Sequence, residues 1–215
     1  MPAAFAGRMD DMTTAHALAL LVLTADPGGT GWEKDAESDG VTIYARKQKG
    51  AEVREMKAEG TINAPPMAVW KAIRDYDNYK KTMPYTAESR VISQDPAGKT
   101  TLFYSVVNAP LVDKRDYLIK LLDVSDWKDG RGFLKVTWNA VQDPGTPERD
   151  GYVRVRINDG MWLLEPRGDG NQTYATYWVY TNPGGSIPNW IADRANGTAV
   201  PDVFKAIRKV CAAKK

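Results

Sequence analysis

The sequence predicts an α+β fold in which one curved antiparallel β-sheet wraps around a long C-terminal α-helix. Two observations predict it. Between residues 88 and 181 apolar side chains recur with period two in segment after segment, and only short turn signals separate the segments. Strands joined by such short turns must run antiparallel. After Asn182-Pro183-Gly184-Gly185 the period becomes helical, from Ile187 to about Ala213. Trp190, Ile191, Val203, Phe204, Ile207 and Val210 form its apolar stripe, with Lys205, Arg208 and Lys209 mostly opposite. A sheet with one apolar face and a helix with one apolar stripe bury both against each other.

The elements follow in order. Residues 15–25 read Ala-His-Ala-Leu-Ala-Leu-Leu-Val-Leu-Thr-Ala. This is either the apolar region of a signal peptide flanked by Arg8, or a short helix capped near Thr13 or Thr14 and stopped by Pro27-Gly28-Gly29. Asp10 and Asp11 and the poor cleavage site at Leu23-Thr24-Ala25 favour the helix. Residues 1–30 are therefore set apart as an N-terminal helix or signal remnant, and 31–213 as the domain. Short strands are expected at 31–35, 41–46 and 53–62, with Asp39-Gly40 as a turn. Pro65-Pro66 then opens a helix over 67–74, since proline is tolerated in a first helical turn. A polar turn or short helix, 75–81, ends before Pro84.

Seven strands are expected next, at 88–93, 100–108, 115–124, 132–141, 151–157, 160–165 and 173–181. The turns between them are placed at Asp95-Pro96-Ala97-Gly98, Lys128-Asp129-Gly130, Asp143-Pro144-Gly145, Asn158-Asp159-Gly160 and Gly168-Asp169-Gly170. Gly197 and Pro201 should weaken or bend the last helix.

Composition excludes several classes of function. A chain of 215 residues suits one domain able to bury roughly 70% of its unfolded surface. With 29 basic and 27 acidic residues, nothing demands a nucleic-acid partner. No window reaches the ~18 apolar residues of a membrane span. Cys211 is the single cysteine, which excludes an intramolecular disulfide. His16 is the single histidine and lies in the N-terminal segment, so a Ser-His or Cys-His pair is not supported. No Cys/His cluster or phosphate-loop glycine spacing is present.

What remains is the alternation of large rings with polar residues. Tyr177, Ala175 and Val179 share one strand face, opposite Tyr174, Thr176, Trp178 and Tyr180. Leu134, Val136 and Trp138 oppose Lys135, Thr137 and Asn139, and Tyr152, Arg154 and Arg156 oppose Val153, Val155 and Ile157. Sequence alone leaves open which faces point inward. A cavity lined by apolar rings needs only a few polar groups to orient a ligand.

The segment Pro110-Leu111-Val112-Asp113-Lys114-Arg115-Asp116-Tyr117 places a proline and four charges just before an apolar strand. Together with Trp32, Asp39-Gly40-Val41-Thr42-Ile43-Tyr44-Ala45-Arg46, Pro65-Pro66…Val69-Trp70 and Gly185-Ser186-Ile187-Pro188…Trp190, it resembles the START (StAR-related lipid-transfer) family over roughly residues 31–211. The resemblance implies a helix-grip fold with a tunnel for one lipid, sterol or other hydrophobic molecule, used for transport or sensing without catalysis or cofactor. It also implies that the loop 110–114 and the last helix act as lid elements, and that Arg115 and Asp116 are structural. Ligand contacts are expected from Leu111 and Val112 in the loop and Ile187 and Trp190 at the helix start. Phe103, Trp138, Arg156 and Tyr177 on the sheet complete the expected set. A monomer that meets a membrane transiently and binds no nucleic acid is expected. The cytoplasm is the expected compartment, or the periplasm or exterior if residues 1–25 are a signal peptide. The alternative is a cyclase- or hydrolase-type enzyme on the same scaffold, using Glu165, Tyr177 or Arg156.

Overall fold

A computed structural model describes residues 29–47, 49–51, 53–110, 112–185, 187 and 189–213, with no side chains described at 189–198. The expected N-terminal helix lies outside the described residues. The strands are β1 (Glu33–Ser38), β2 (Val41–Arg46), β3 (Glu55–Ile62), β4 (Thr86–Gln94), β5 (Thr100–Val107), β6 (Arg115–Asp123), β7 (Asp126–Lys128), β8 (Arg131–Ala140), β9 (Val153–Arg154), β10 (Ile157–Arg167) and β11 (Gln172–Asn182). The helices are α1 (Pro66–Ile73), a 3-10 turn (Tyr76–Asn78), α2 (Tyr79–Thr82) and α3 (Asn189–Ala213).

Local chemistry explains the tightest connections. Asp39 and Gly40 have φ of 53° and 68°, and Asp129 and Gly130 have φ of 51° and 80°. Each pair is a two-residue loop with both central residues left-handed, the turn whose twist matches a hairpin. Pro66 opens α1, where its missing N–H leaves no bond unmade.

The strands form one sheet in the order β1-β2-β3-β11-β10-β8-β6-β5-β4, with β7 on β8 and β9 on β6. Pairing is antiparallel throughout except for β9, which runs parallel to β6. The sheet curves around α3. One buried cluster joins Ile43 of β2, Phe103 of β5, Ile119 of β6, Leu134 of β8, Trp162 of β10 and Ala175 of β11 to Val200, Phe204 and Ile207 of α3. Full burial of a side chain such as Phe204 stabilises by about 1.5–3 kcal/mol. Arg208 fastens the C-terminal half of α3, donating to the carbonyls of Asp39 (2.6 Å) and Thr61 (2.7 Å). A smaller cluster of Tyr104, Val106 and Leu118 lies apart from the main core, covered by Leu102, Val141 and Tyr152. Tyr104 and Leu118 alternate along their strands with the core-facing Phe103 and Ile119, so this cluster occupies the outer face of β5 and β6.

Two expectations change and two details are refined. Asn158-Asp159-Gly160 is no turn: β10 runs straight through it, and Gly160 is required for another reason given below. The expected strand at 151–157 shrinks to the two residues of β9. The three-residue β7 is too short for periodicity to show. The last helix starts at Asn189 and continues through Pro201 to Ala213.

Candidate ligand cavity

Between the concave face of the sheet and α3 lies a cavity of about 220 Å³. That is many times the ~10–15 Å³ needed to hold one water. The sheet supplies Phe103 (β5), Tyr117 and Ile119 (β6), Val136 and Trp138 (β8), Asn158 and Trp162 (β10) and Tyr177 (β11). All are on the inward parity of their strands. Tyr76 and Tyr79 enter from the turn after α1, and Ala199 and Val203 from α3. Met83, Pro84, Tyr85 and Thr86, with Val107 at the end of β5, form the mouth. Tyr85 is 44% exposed there. Its φ is 56°, and its carbonyl accepts the Asn108 N–H at 2.8 Å.

Two groups of rings make the walls. Phe103 packs on Tyr76 (5.3 Å between centroids), Tyr79 (5.6 Å) and Tyr117 (6.3 Å). Tyr177 packs on Trp162 (4.7 Å) and Trp138 (5.9 Å), and Trp162 on Phe204 (5.2 Å). The Trp138 indole N–H donates to Asn158 Oδ1 at 3.2 Å, and Thr181 Oγ1 donates to the same oxygen at 3.2 Å. An indole N–H can only donate, so the amide oxygen must face Trp138.

The polar groups of the lining are uncharged. Burial pushes the Tyr76 hydroxyl up to about 12, the nearby Arg74 opposing it. Burial also raises Tyr79, Tyr177 and Tyr117, the last opposed by the Ser105 hydroxyl. Low polarity disfavours the phenolate, so all four stay protonated at ordinary pH. The Tyr79 hydroxyl donates to the Ile73 carbonyl. Among the described residues no carboxylate, lysine, arginine or histidine lines the cavity, and no group of metal-ligating side chains occurs. The lining is suited to solvating hydrocarbon.

Of the residues expected to meet ligand, Phe103, Trp138 and Tyr177 come together on the wall. Arg156 does not join them: it follows the two-residue β9 at the surface, where it pairs with Glu148. Glu165 is likewise exposed. Val112 and Ile187 are half-buried outside the lining. Leu111 and the Trp190 side chain lie outside the described residues. Tyr76, Tyr79, Tyr85 and Asn158 are lining residues that the sequence reading passed over, because they sit on short turns or in a supposed loop.

The charged segment before β6 divides between the two faces. Asp116 is fully buried on the outer face and grips Arg154 with both oxygens, at 2.8 and 2.9 Å. The Tyr104 hydroxyl donates to it at 3.0 Å. Arg149 donates to Tyr104 Oη (3.3 Å) and Glu88 (2.8 Å). This network ties β9 and the preceding loop onto β6.

A curved antiparallel sheet closed by a long helix over a cavity is the helix-grip architecture of START-like domains. The chain belongs to the family described as polyketide cyclase / dehydrase and lipid transport, whose model matches residues 62–208, and within it to the START-like members. It is 30% identical to an uncharacterized Pseudomonas aeruginosa protein, over 91% of this chain and 94% of that one. It is 28% identical to a rat phosphatidylcholine transfer protein, over 85% of each. The crystal structure of a STAR-related lipid transfer protein fragment from Xanthomonas axonopodis superposes with a TM-score of 0.74 at 30% identity, covering 85% of this chain and 99% of that one.

Proposed function

We propose that the domain of residues 31–213 binds one lipid or other hydrophobic molecule in the cavity and carries or senses it without catalysis. One observation carries the reading: the lining is built of rings and aliphatic side chains whose polar members are neutral. Each CH₂ moved from water into such a cavity gains about 0.8 kcal/mol, so affinity needs no strong polar contact. The lipid-transfer names of similar proteins support the ligand class. Exchange would take place at a membrane surface, with the loop 110–114 and the head of α3 as the moving parts of a monomer.

The test is native mass spectrometry of the purified protein, followed by titration of stripped protein with a lipid panel. Trp138 and Trp162 in the wall report occupancy through their fluorescence. One apolar molecule per chain, recovered chemically unchanged, is the expected result. No uptake from any member of the panel overturns the proposal, and recovery of a converted product favours the enzyme alternative.

A further inference from the structure

Arg115 and Asp116 are neighbours of opposite charge that β6 sends to opposite faces. Arg154 absorbs the charge of Asp116 on the outer face. Arg115 shares the inward parity of Tyr117 and stands across the strand pair from Val107, both of which line the cavity near its mouth. Arg115 is 6% exposed. Its guanidinium donates to the Asp113 carbonyl, and its Nε has no partner at all. No carboxylate pairs with it among the described residues. Burial lowers its proton affinity, with Asp113 partly opposing, yet an arginine stays charged. The backbone of Gly184 and Gly185, left-handed at φ 62° and 71°, passes beside it. A methyl group built on Gly185 would stand 3.7 Å from Nη2.

A buried cation without a counter-ion costs several kcal/mol, and folds retain one only where something offsets the cost. The adjoining cavity is about 220 Å³. That is below the ~300–1,000 Å³ of pockets that enclose drug-sized ligands, so one hydrocarbon chain suits it better than the two of a diacyl lipid.

Resting on the lipid-binding reading above, we propose that Arg115 is the head-group subsite of the cavity. The ligand it selects is a single-chain lipid ending in an oxyanion, a carboxylate or a phosphate. The chain lies between the aromatic walls and the head reaches the mouth. There the free edge of the guanidinium donates to it.

The experiment titrates stripped wild-type protein with palmitate and with 1-hexadecanol, equal in chain length and different in head charge. Cavity tryptophan fluorescence is the readout. Hydrogen bonds to a charged group predict that palmitate binds about tenfold to a hundredfold more tightly. Arg115→Gln should erase that ratio by weakening palmitate far more than hexadecanol, while Arg115→Lys should keep part of it. Equal affinities in the wild type, or a ratio that survives Arg115→Gln, overturn the subsite. Failure of both probes to bind the wild type overturns the lipid-binding reading itself. Inorganic phosphate should leave palmitate binding unaffected, and competition at comparable concentration would assign the subsite to a free anion. A readout on the wild type alone covers variants that fail to fold. The carboxyl carbon of bound 1-¹³C-palmitate should stay ionised to lower pH than in neutral detergent micelles, and an unshifted or raised titration overturns the contact.

Discussion

The Trp138 indole lies across the backbone of Gly160 on the neighbouring strand, so closely that a Cβ built on Gly160 would stand 2.2 Å from Cζ2 of the ring. The same Cβ would meet the Trp178 carbonyl at 2.7 Å. Gly160 is therefore in β10 for lack of a side chain, and this lets Trp138 reach Asn158 and form cavity wall. Gly160→Ala should displace the indole and cost about 1–3 kcal/mol, the usual range for overpacking. A lowered unfolding midpoint and altered near-ultraviolet dichroism check it, and an unchanged midpoint removes the contact from the account.

Asp116 and Arg154 are both nearly sealed from solvent, with side chains 0% and 5% exposed. Removing one partner strands the other charge. Asp116→Asn or Arg154→Met alone should destabilise by about 3–5 kcal/mol, and the double variant by clearly less than the sum. Denaturant unfolding of the full cycle measures the difference. Additive losses would show that the pair does not act as a unit.

Val203 projects from α3 into the cavity and is only half-buried. Val203→Trp fills empty space without touching the fully buried Phe204 or Ile207. Lipid uptake by native mass spectrometry should fall at least tenfold, while the unfolding free energy changes by less than about 1.5 kcal/mol. Retained uptake would place the ligand elsewhere.

The cavity tyrosines make the fold sensitive to alkali. Their folded values lie above the ordinary tyrosine value, so the native state holds protons that the unfolded chain releases. Their contribution is complete below about pH 10 and declines as pH rises toward the folded value, about 12 for Tyr76. Each such group gives a slope of up to roughly 1.4 kcal/mol per pH unit in that window. Unfolding midpoints between pH 9 and 12 test this, alongside phenolate absorbance. Some of the ten tyrosines should ionise only on unfolding.

Much of this was legible in the chain. Alternation over residues 134–138 and 175–179 assigns Trp138 and Tyr177 to one face each, and the fold shows those faces to be inward because Leu134, Val136 and Ala175 share them. The shift to helical period near Ile187 gives α3 to within two residues. The Asn158-Asp159-Gly160 triplet misleads because its composition suits a turn, and only the neighbouring Trp138 explains the glycine. Tyr76 and Tyr79 carry no periodic signal, since a turn and a four-residue helix are too short for one. The destination of Asp116 depends on the parallel contact between β6 and β9, thirty-eight residues away, which no local pattern encodes.

Tyr85 holds a bulky side chain in the left-handed region at the cavity mouth, where glycine would rest without strain. That conformation costs about 1 kcal/mol for a non-glycine residue. Tyr85→Gly should therefore relieve backbone strain at the rim while removing the half-exposed ring from the entrance. The two effects oppose each other: a chain optimised for durability alone would carry glycine at 85. The tyrosine marks the cavity rim as a place where this fold carries backbone strain that a glycine would avoid.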